Sequence, residues 1–189
     1  MSAGTTMLPN IPSYAGAARA ISSVVPASYV RLPKPEVWFG LAALVIALDQ
    51  ASKLWVLASF HLGESLPVTS FFNLVLVFNS GAAFSFLAGA GGWQKWFFVI
   101  LALAISAWLV VMIRHHAAER LMPATLALVL GGALGNVIDR LRFGAVVDFL
   151  DFHVAGWHWP AFNVADSAIS VGVLLLLWQQ LTHTEATQK

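Results

Sequence analysis

Two aspartates, Asp148 and Asp166, stand at the edges of apolar segments in a chain that otherwise avoids charge. Asp148 lies within Val146-Val147-Asp148-Phe149, and Asp166 within Phe162-Asn163-Val164-Ala165-Asp166-Ser167. A carboxylate beside lipid is costly, so it pairs with another group or performs chemistry. An ordinary Asp ionises at about pH 3.9. Two carboxylates brought together in a poorly hydrated site cannot both ionise cheaply, and one keeps a proton. The ionised member can then take a proton from water. The protonated member can polarise a carbonyl or protonate a departing amine, which is the chemistry of an aspartic peptidase. Spacing alone leaves a second reading open, in which the two acids are solvated or ion-paired separately.

Other polar residues interrupt apolar sequence in ways that bear on this choice. Asp49 and Lys53 are four apart, the spacing of a helical ion pair, and read as a structural pair with a supporting role near a site. Gly131 and Gly135 form a small-xxx-small face that permits close helix approach. Asn136, Asp139 and Arg140 follow on one side of the same helix end, and a hydrogen-bonding network lining a cavity explains them better than a cap. Asn79 and Asn163 can serve as turn residues or can hold a substrate backbone. His153 and His158 lie close to Asp148 and Asp151, but no His-Glu-x-x-His occurs, and the expectation is no metal. Trp157, Trp159 and Pro160 read instead as anchors at lipid headgroups.

These residues need elements to carry them, and composition says what kind. The chain has 189 residues, 59% hydrophobic and 10% charged, with mean hydropathy +0.77; a soluble domain carries about 25% charge. Most of its surface therefore faces something other than water. A net charge of +1 gives no broad basic surface, so nucleic acid is not an expected partner. The absence of cysteine excludes disulfides, thiolate metal sites and cysteine nucleophiles. Four stretches, roughly 37–58, 93–113, 121–137 and 161–181, are long and apolar enough to span a bilayer.

Orientation follows from the loops. Arg114-His115-His116-Ala117-Ala118-Glu119-Arg120 is short and basic, and Arg19, Arg31 and Lys34 precede the first span. Positive loops stay in the cytoplasm, which assigns both termini there and the loops at 59–92 and 138–160 outside. Lys53, Lys95, Arg140 and Arg142 fall on or near the outer side, accompanied there by six acids. The polar interruptions thus gather at one membrane face. Residues 1–36, rich in Ala, Ser, Gly and Pro, hold no apolar run of signal-peptide length and read as a disordered cytoplasmic extension. Residues 37–181 form the membrane domain and 182–189 a solvated tail. The β-branched and aromatic run at 71–78, followed by Asn79-Ser80-Gly81-Ala82-Ala83, has strand-then-turn character and suggests a short sheet on the membrane surface.

Taken together, these segments resemble lipoprotein signal peptidase (signal peptidase II), a bacterial membrane aspartyl peptidase family. The resemblance covers about 37–181 and rests on five ordered motifs: Asp49-Gln50 with Lys53, Asn79 through Ser85, Gly131 through Arg140, Val146 through Phe149, and Phe162 through Asp166. It implies an all-α bundle of four transmembrane helices with a small periplasmic β-cradle and a short outer helix. It implies Asp148 and Asp166 as the catalytic dyad. Asn79, Gly81, Asn136, Arg140 and Asn163 would bind substrate or order the site, and Asp49, Lys53 and Asp139 would support it. The implied substrates are diacylglyceryl-modified prolipoproteins, cut just before the lipidated cysteine. The implied setting is the bacterial inner membrane, with membrane lipids as partners, globomycin-type cyclic peptides as inhibitors, no cofactor and a monomeric state. The first 36 residues depart from the family's short N-terminus.

Depth supports the resemblance. The substrate's acyl chains stay in the outer leaflet, so the scissile bond sits near the interface, where the two aspartates fall. Sidelong entry between helices would bury those chains at roughly 0.8 kcal/mol per CH₂. Two other classes compete. A small proton-coupled transporter would spread polar residues along the depth of its helices, whereas the second span is nearly free of them. A scaffold using the Gly131/Gly135 face leaves both aspartate motifs unexplained.

Overall fold

This computed structural model describes residues 34–81 and 92–187, with side chains through Thr182. Nearly all of the expected N-terminal extension, and the turn residues after Gly81, lie outside the described residues. Four helices carry the chain: α1 (Pro35–Ser59), α2 (Gln94–His115), α3 (Leu121–Phe143) and α4 (Val164–Thr187). All four are long and apolar enough to cross a membrane. Leu44, Ile100, Trp108 and Leu174 point outward rather than into a core, as lipid-facing side chains do. Within each helix the backbone satisfies itself, which a hydrocarbon solvent demands.

The third helix is central. It packs against α1, α2 and α4, whereas α1 and α2 barely touch. One apolar cluster, Ala42, Leu109, Ile113, Leu126, Ala127 and Leu130, joins α1, α2 and α3 at one end of the bundle. At that end the Trp38 indole also donates to the Ala117 carbonyl at 3.1 Å, tying α1 to the α2–α3 connection. Because the chain runs up and down, the opposite end gathers the C-terminal halves of α1 and α3 with the N-terminus of α4. The interrupting polar residues share that end.

A four-stranded antiparallel sheet sits there, ordered β1 (Ser65–Thr69), β2 (Phe72–Asn79), β3 (Val146–Val154) and β4 (Trp157–His158). The expected strand at 71–78 is β2, shifted by one residue. The loop after α1 supplies β1 and β2, and the loop after α3 supplies β3 and β4. Pairing of Val77 with Asp148 and of Asn73 with Asp151 locks these two loops together, with a register irregularity between Leu74 and Val77. Val56, Leu76, Val147 and Phe149 form a second apolar cluster that fixes the sheet to α1.

Two differences from the sequence reading have physical causes. The third span was expected to end at Val137, but α3 continues to Phe143 because Asn136, Asp139 and Arg140 find polar partners inside the bundle. Gly144, at φ 79°, then ends the helix in the left-handed conformation that glycine adopts freely. The stretch at 138–160, expected as a loop, instead carries the end of α3 and then β3 and β4, the strands turned by Ala155 at φ 50° and Gly156 at φ 81°. Two consecutive positive φ values make the tight connection whose twist suits a hairpin. The fourth helix runs on to Thr187, into the expected tail. The short extra helix implied by the resemblance is not among the described residues.

Candidate active site

The start of α4 positions the first aspartate. Asn163 precedes the helix, and its side-chain Oδ1 accepts the backbone N–H of Asp166 at 2.9 Å. Asp166 Oδ2 reaches back to accept the N–H of Asn163 at 3.3 Å. This reciprocal arrangement is a capping box with Asp in place of the usual Glu or Gln. It satisfies two helix-terminal donors and fixes the Asp166 carboxylate in the first turn. A bridge between Leu150 and Phe162 lays the segment before α4 beside β3. That brings Asn163 against the second aspartate: its Nδ2 donates to Asp148 Oδ1 at 2.7 Å.

Two further asparagines complete the cradle. Asn79, the last residue of β2, donates from Nδ2 to Asp148 Oδ2 at 3.2 Å, while its Oδ1 accepts the N–H of Gly81 at 3.0 Å. Asn136 on α3 donates to Asp166 Oδ1 at 2.8 Å. Each carboxylate is thereby held from two sides, and the two are close enough to feel one another's charge. Asp148 is 2% exposed. Burial, and then the negative charge of Asp166, push its carboxyl up to about 7; the Asn79 and Asn163 amides and the more distant Lys53 offset this only in part. The group therefore exchanges a proton near neutral pH, as a general acid or base needs.

Behind the asparagines lies a buried ionic cluster. Lys53 Nζ is 2.8 Å from Asp49 Oδ2 and 2.8 Å from Asp139 Oδ2, and it donates to Asn136 Oδ1 at 3.1 Å. Both carboxylates are used elsewhere as well. Asp49 Oδ1 accepts the N–H of Ala165 at 2.9 Å, and Asp139 Oδ2 accepts that of Val147 at 3.1 Å. The lysine cluster therefore touches the residue immediately before each candidate catalytic aspartate. Gln50 joins it, donating to Asp139 Oδ1 at 2.9 Å. The sequence names Gln50 within the Asp49-Gln50 motif but assigns it no role.

Arg140 works from the other side. Its Nη2 donates to the Gly81 carbonyl at 3.0 Å, and its guanidinium lies 5.2 Å from the Phe98 ring centre. It pins the turn after β2 to α3 beside the aspartates. All ten residues singled out from the sequence, Asp49, Lys53, Asn79, Gly81, Asn136, Asp139, Arg140, Asp148, Asn163 and Asp166, thus belong to one connected network. A neighbouring trio was not foreseen. Asp151 accepts from Asn73 Nδ2 at 2.8 Å and faces His158 Nδ1 at 2.9 Å. Burial works against the Asp151 charge, but the Asn73 and His158 hydrogen bonds outweigh it and hold the carboxyl below its ordinary range. Among the described residues no three His, Asp or Glu side chains converge as a metal ligand set.

Residues 41–182 match the family described as signal peptidase (SPase) II. The chain belongs to the signal peptidase II family. Relatives named lipoprotein signal peptidase include one from Azoarcus sp. (strain BH72), 58% identical over 82% of this chain and 86% of its own. Another, from Ralstonia nicotianae, is 57% identical over 76% of this chain and 83% of its own. A solved structure described as a bacterial membrane enzyme, obtained by the in meso method at 2.3 Å resolution, superposes with TM-score 0.72 at 34% identity, covering 79% of this chain and 90% of that one. As a signal peptidase II the chain is a multi-pass membrane peptidase, and the matched span contains the whole network.

Proposed function

We propose that this signal peptidase II is an aspartic endopeptidase that cuts diacylglyceryl-modified prolipoproteins just before the lipidated cysteine. Signal-peptide removal is the activity of the family; the dyad, the residue roles and the setting are our reading. Asp148 and Asp166 share one proton and hold the attacking water between them. The ionised carboxylate takes a proton from that water as its oxygen bonds to the scissile carbonyl carbon. The protonated carboxyl supports the carbonyl oxygen, and a proton passes to the departing nitrogen as the C–N bond breaks. The signal peptide leaves with a carboxylate and the lipidated cysteine with a free amine. The pair titrates as a unit, so the proton belongs to both.

The observation that carries this reading is Asn163 engaging both carboxylates at once: its side-chain Nδ2 donates to Asp148 Oδ1, and its backbone N–H donates to Asp166 Oδ2 within the helix cap. Asn79 and Asn136 hold the outer oxygens, Arg140 and Gly81 order the turn beside them, and Asp49, Lys53 and Asp139 brace the whole. The setting is the bacterial inner membrane, with both termini cytoplasmic, the sheet and dyad on the periplasmic side and the acyl chains lying between helices. Globomycin-type peptides would compete for the same dyad, and the enzyme works as a monomer. A proton-coupled transporter is not favoured, because among the described residues the buried charged side chains, Asp49, Lys53, Asp139, Asp148 and Asp151, lie at one end.

Purified protein incubated with a diacylglyceryl-modified precursor should release its signal peptide. Asp148→Asn and Asp166→Asn should each abolish release while the protein stays folded in membrane. Normal turnover by either variant would refute the dyad.

A further inference from the structure

On the sheet at the dyad end of the bundle, a cavity of about 500 Å³ opens between β2, β3 and the connection into α4, walled by Val75, Val77, Asp151, His158, Trp159 and Ala161. Nothing in the chemistry proposed above uses it. Both its walls lead to the aspartates: Val77 is the strand partner of Asp148, and Ala161 lies two residues before Asn163. We infer that this cavity is a subsite for the start of the mature polypeptide, the residues that follow the lipidated cysteine, with Asp151, His158 and Trp159 contacting that segment. The inference rests on the peptidase reading and extends it to the leaving side of the scissile bond.

The direction of the chain argues for it. The signal helix and the acyl chains belong among the apolar helices, so the remaining limb of the substrate must depart over the sheet. Val77, on the cavity wall, stands directly across the ladder from Asp148, about 5 Å away; Asp151, three residues on along β3 and so on the strand's other face, lies roughly 10 Å from Asp148 at the strand rise. An extended peptide advances at most about 3.6 Å per residue, so the second to fourth residues past the cut reach the cavity. The lining suits a peptide of varied sequence. Val75, Val77 and the Trp159 ring offer apolar contact. His158, with Nδ1 turned to Asp151, presents the opposite edge of its half-exposed ring to a backbone N–H or C=O. The Asp151 carboxylate, steadied by Asn73, can accept a backbone N–H through remaining lone pairs.

The test uses the full-length enzyme and two diacylglyceryl-modified precursors. One ends at the lipidated cysteine as an amide, and the other continues for about five residues, enough to cross the cavity. The longer precursor should show kcat/KM about tenfold higher, carried by KM, which corresponds to about 1.4 kcal/mol of binding. His158→Ala and Trp159→Ala alter exposed side chains and should spare the fold. Both should pull the ratio of the two kcat/KM values several-fold toward one. A wild-type ratio of one, or a ratio that survives both substitutions, overturns the subsite while leaving the peptidase intact. Failure to cleave either precursor overturns the peptidase reading, and the subsite with it.

Discussion

Asn163 holds Asp148 Oδ1 at 2.7 Å through its amide and, with its own Oδ1, caps the helix that carries Asp166. One side chain thus sets the relative position of two carboxylates that are 18 residues apart. Asn163→Ala should remove both functions. Loss of the cap should lower stability by about 1 kcal/mol. Loss of the positioned donor should lower kcat by about 10²-fold or more, as removal of a preorganised hydrogen bond does elsewhere, with a smaller change in KM. Asn163→Asp keeps the cap acceptor but adds a third negative charge and should be equally inactive at neutral pH. Steady-state kinetics on a lipidated precursor check both; a kcat close to that of the parent would remove Asn163 from the site.

The Asp148 carboxyl, pushed up to about 7 by burial and then by Asp166, makes stability depend on pH in a definite direction. In the unfolded chain the same group ionises near 3.9. Between those values the folded protein binds a proton that the unfolded chain has released. The stabilisation from this group is complete below about pH 4 and is lost as the pH rises through about 7. Asp148→Asn carries no charge to bury. Its unfolding temperature in detergent should exceed that of the parent at pH 8, and the gap should close toward pH 5. On the peptidase reading, kcat/KM should also fall above about pH 7, as the pair loses its last proton. A gap that widens toward acid would overturn the assignment.

Lys53 is 2% exposed and serves two carboxylates, Asp49 and Asp139, each at 2.8 Å. Lys53→Met keeps most of the volume but leaves both acids without their cation. Breaking a buried ion pair from one side destabilises by about 3–5 kcal/mol, so this variant should unfold at a much lower temperature or accumulate poorly. The triple variant with Asp49→Asn and Asp139→Asn removes the stranded charges and should recover part of the loss. Recovered stability without recovered activity is the expected pattern, because Asp49 and Asp139 also hold the backbone N–H groups of Ala165 and Val147 beside the dyad. Full stability in Lys53→Met alone would show that the cluster contributes little.

The network was legible in the sequence for a simple reason: an apolar chain makes each polar side chain conspicuous. Asp49 with Lys53, and Asn136 with Asp139 and Arg140, could be read by helical spacing, and all five sit on helices as that spacing requires. The four spans were legible from apolar length alone. What spacing could not supply was contact across the fold. Asn163 meets Asp148 only because Phe162 bridges to Leu150, and that pairing leaves no local trace. The β3 strand was hidden because its Val-Val-Asp-Phe-Leu-Asp-Phe-His-Val run mixes acids into apolar sequence; both acids are buried there, Asp148 by asparagines and Asp151 by Asn73 and His158. Gln50, part of a motif with Asp49, received no role because an uncharged side chain beside a charged one draws less notice.

Two glycines four apart on α3 should respond differently to the same substitution. A Cβ on Gly131 would stand 2.7 Å from the Ala42 carbonyl oxygen and 2.7 Å from Val45 Cβ. Both are parts of α1 that cannot rotate away, so Gly131→Ala must push two helices apart. Overpacking of this kind typically destabilises by about 1–3 kcal/mol, against a gain of about 1 kcal/mol in helix propensity. A Cβ on Gly135 would instead stand 2.6 Å from Asp49 Oδ2, the oxygen that Lys53 holds. The displaced Asp49 carboxylate also accepts the Ala165 N–H through Oδ1, so the disturbance passes to the residue before Asp166. Gly131→Ala should therefore lower the unfolding temperature with a modest loss of kcat. Gly135→Ala should lose at least tenfold in kcat for a comparable or smaller loss of stability. Thermal unfolding and turnover of the two variants, measured in the same detergent, decide the matter: equal ratios of activity to stability would mean that Asp49 does not transmit position to the dyad.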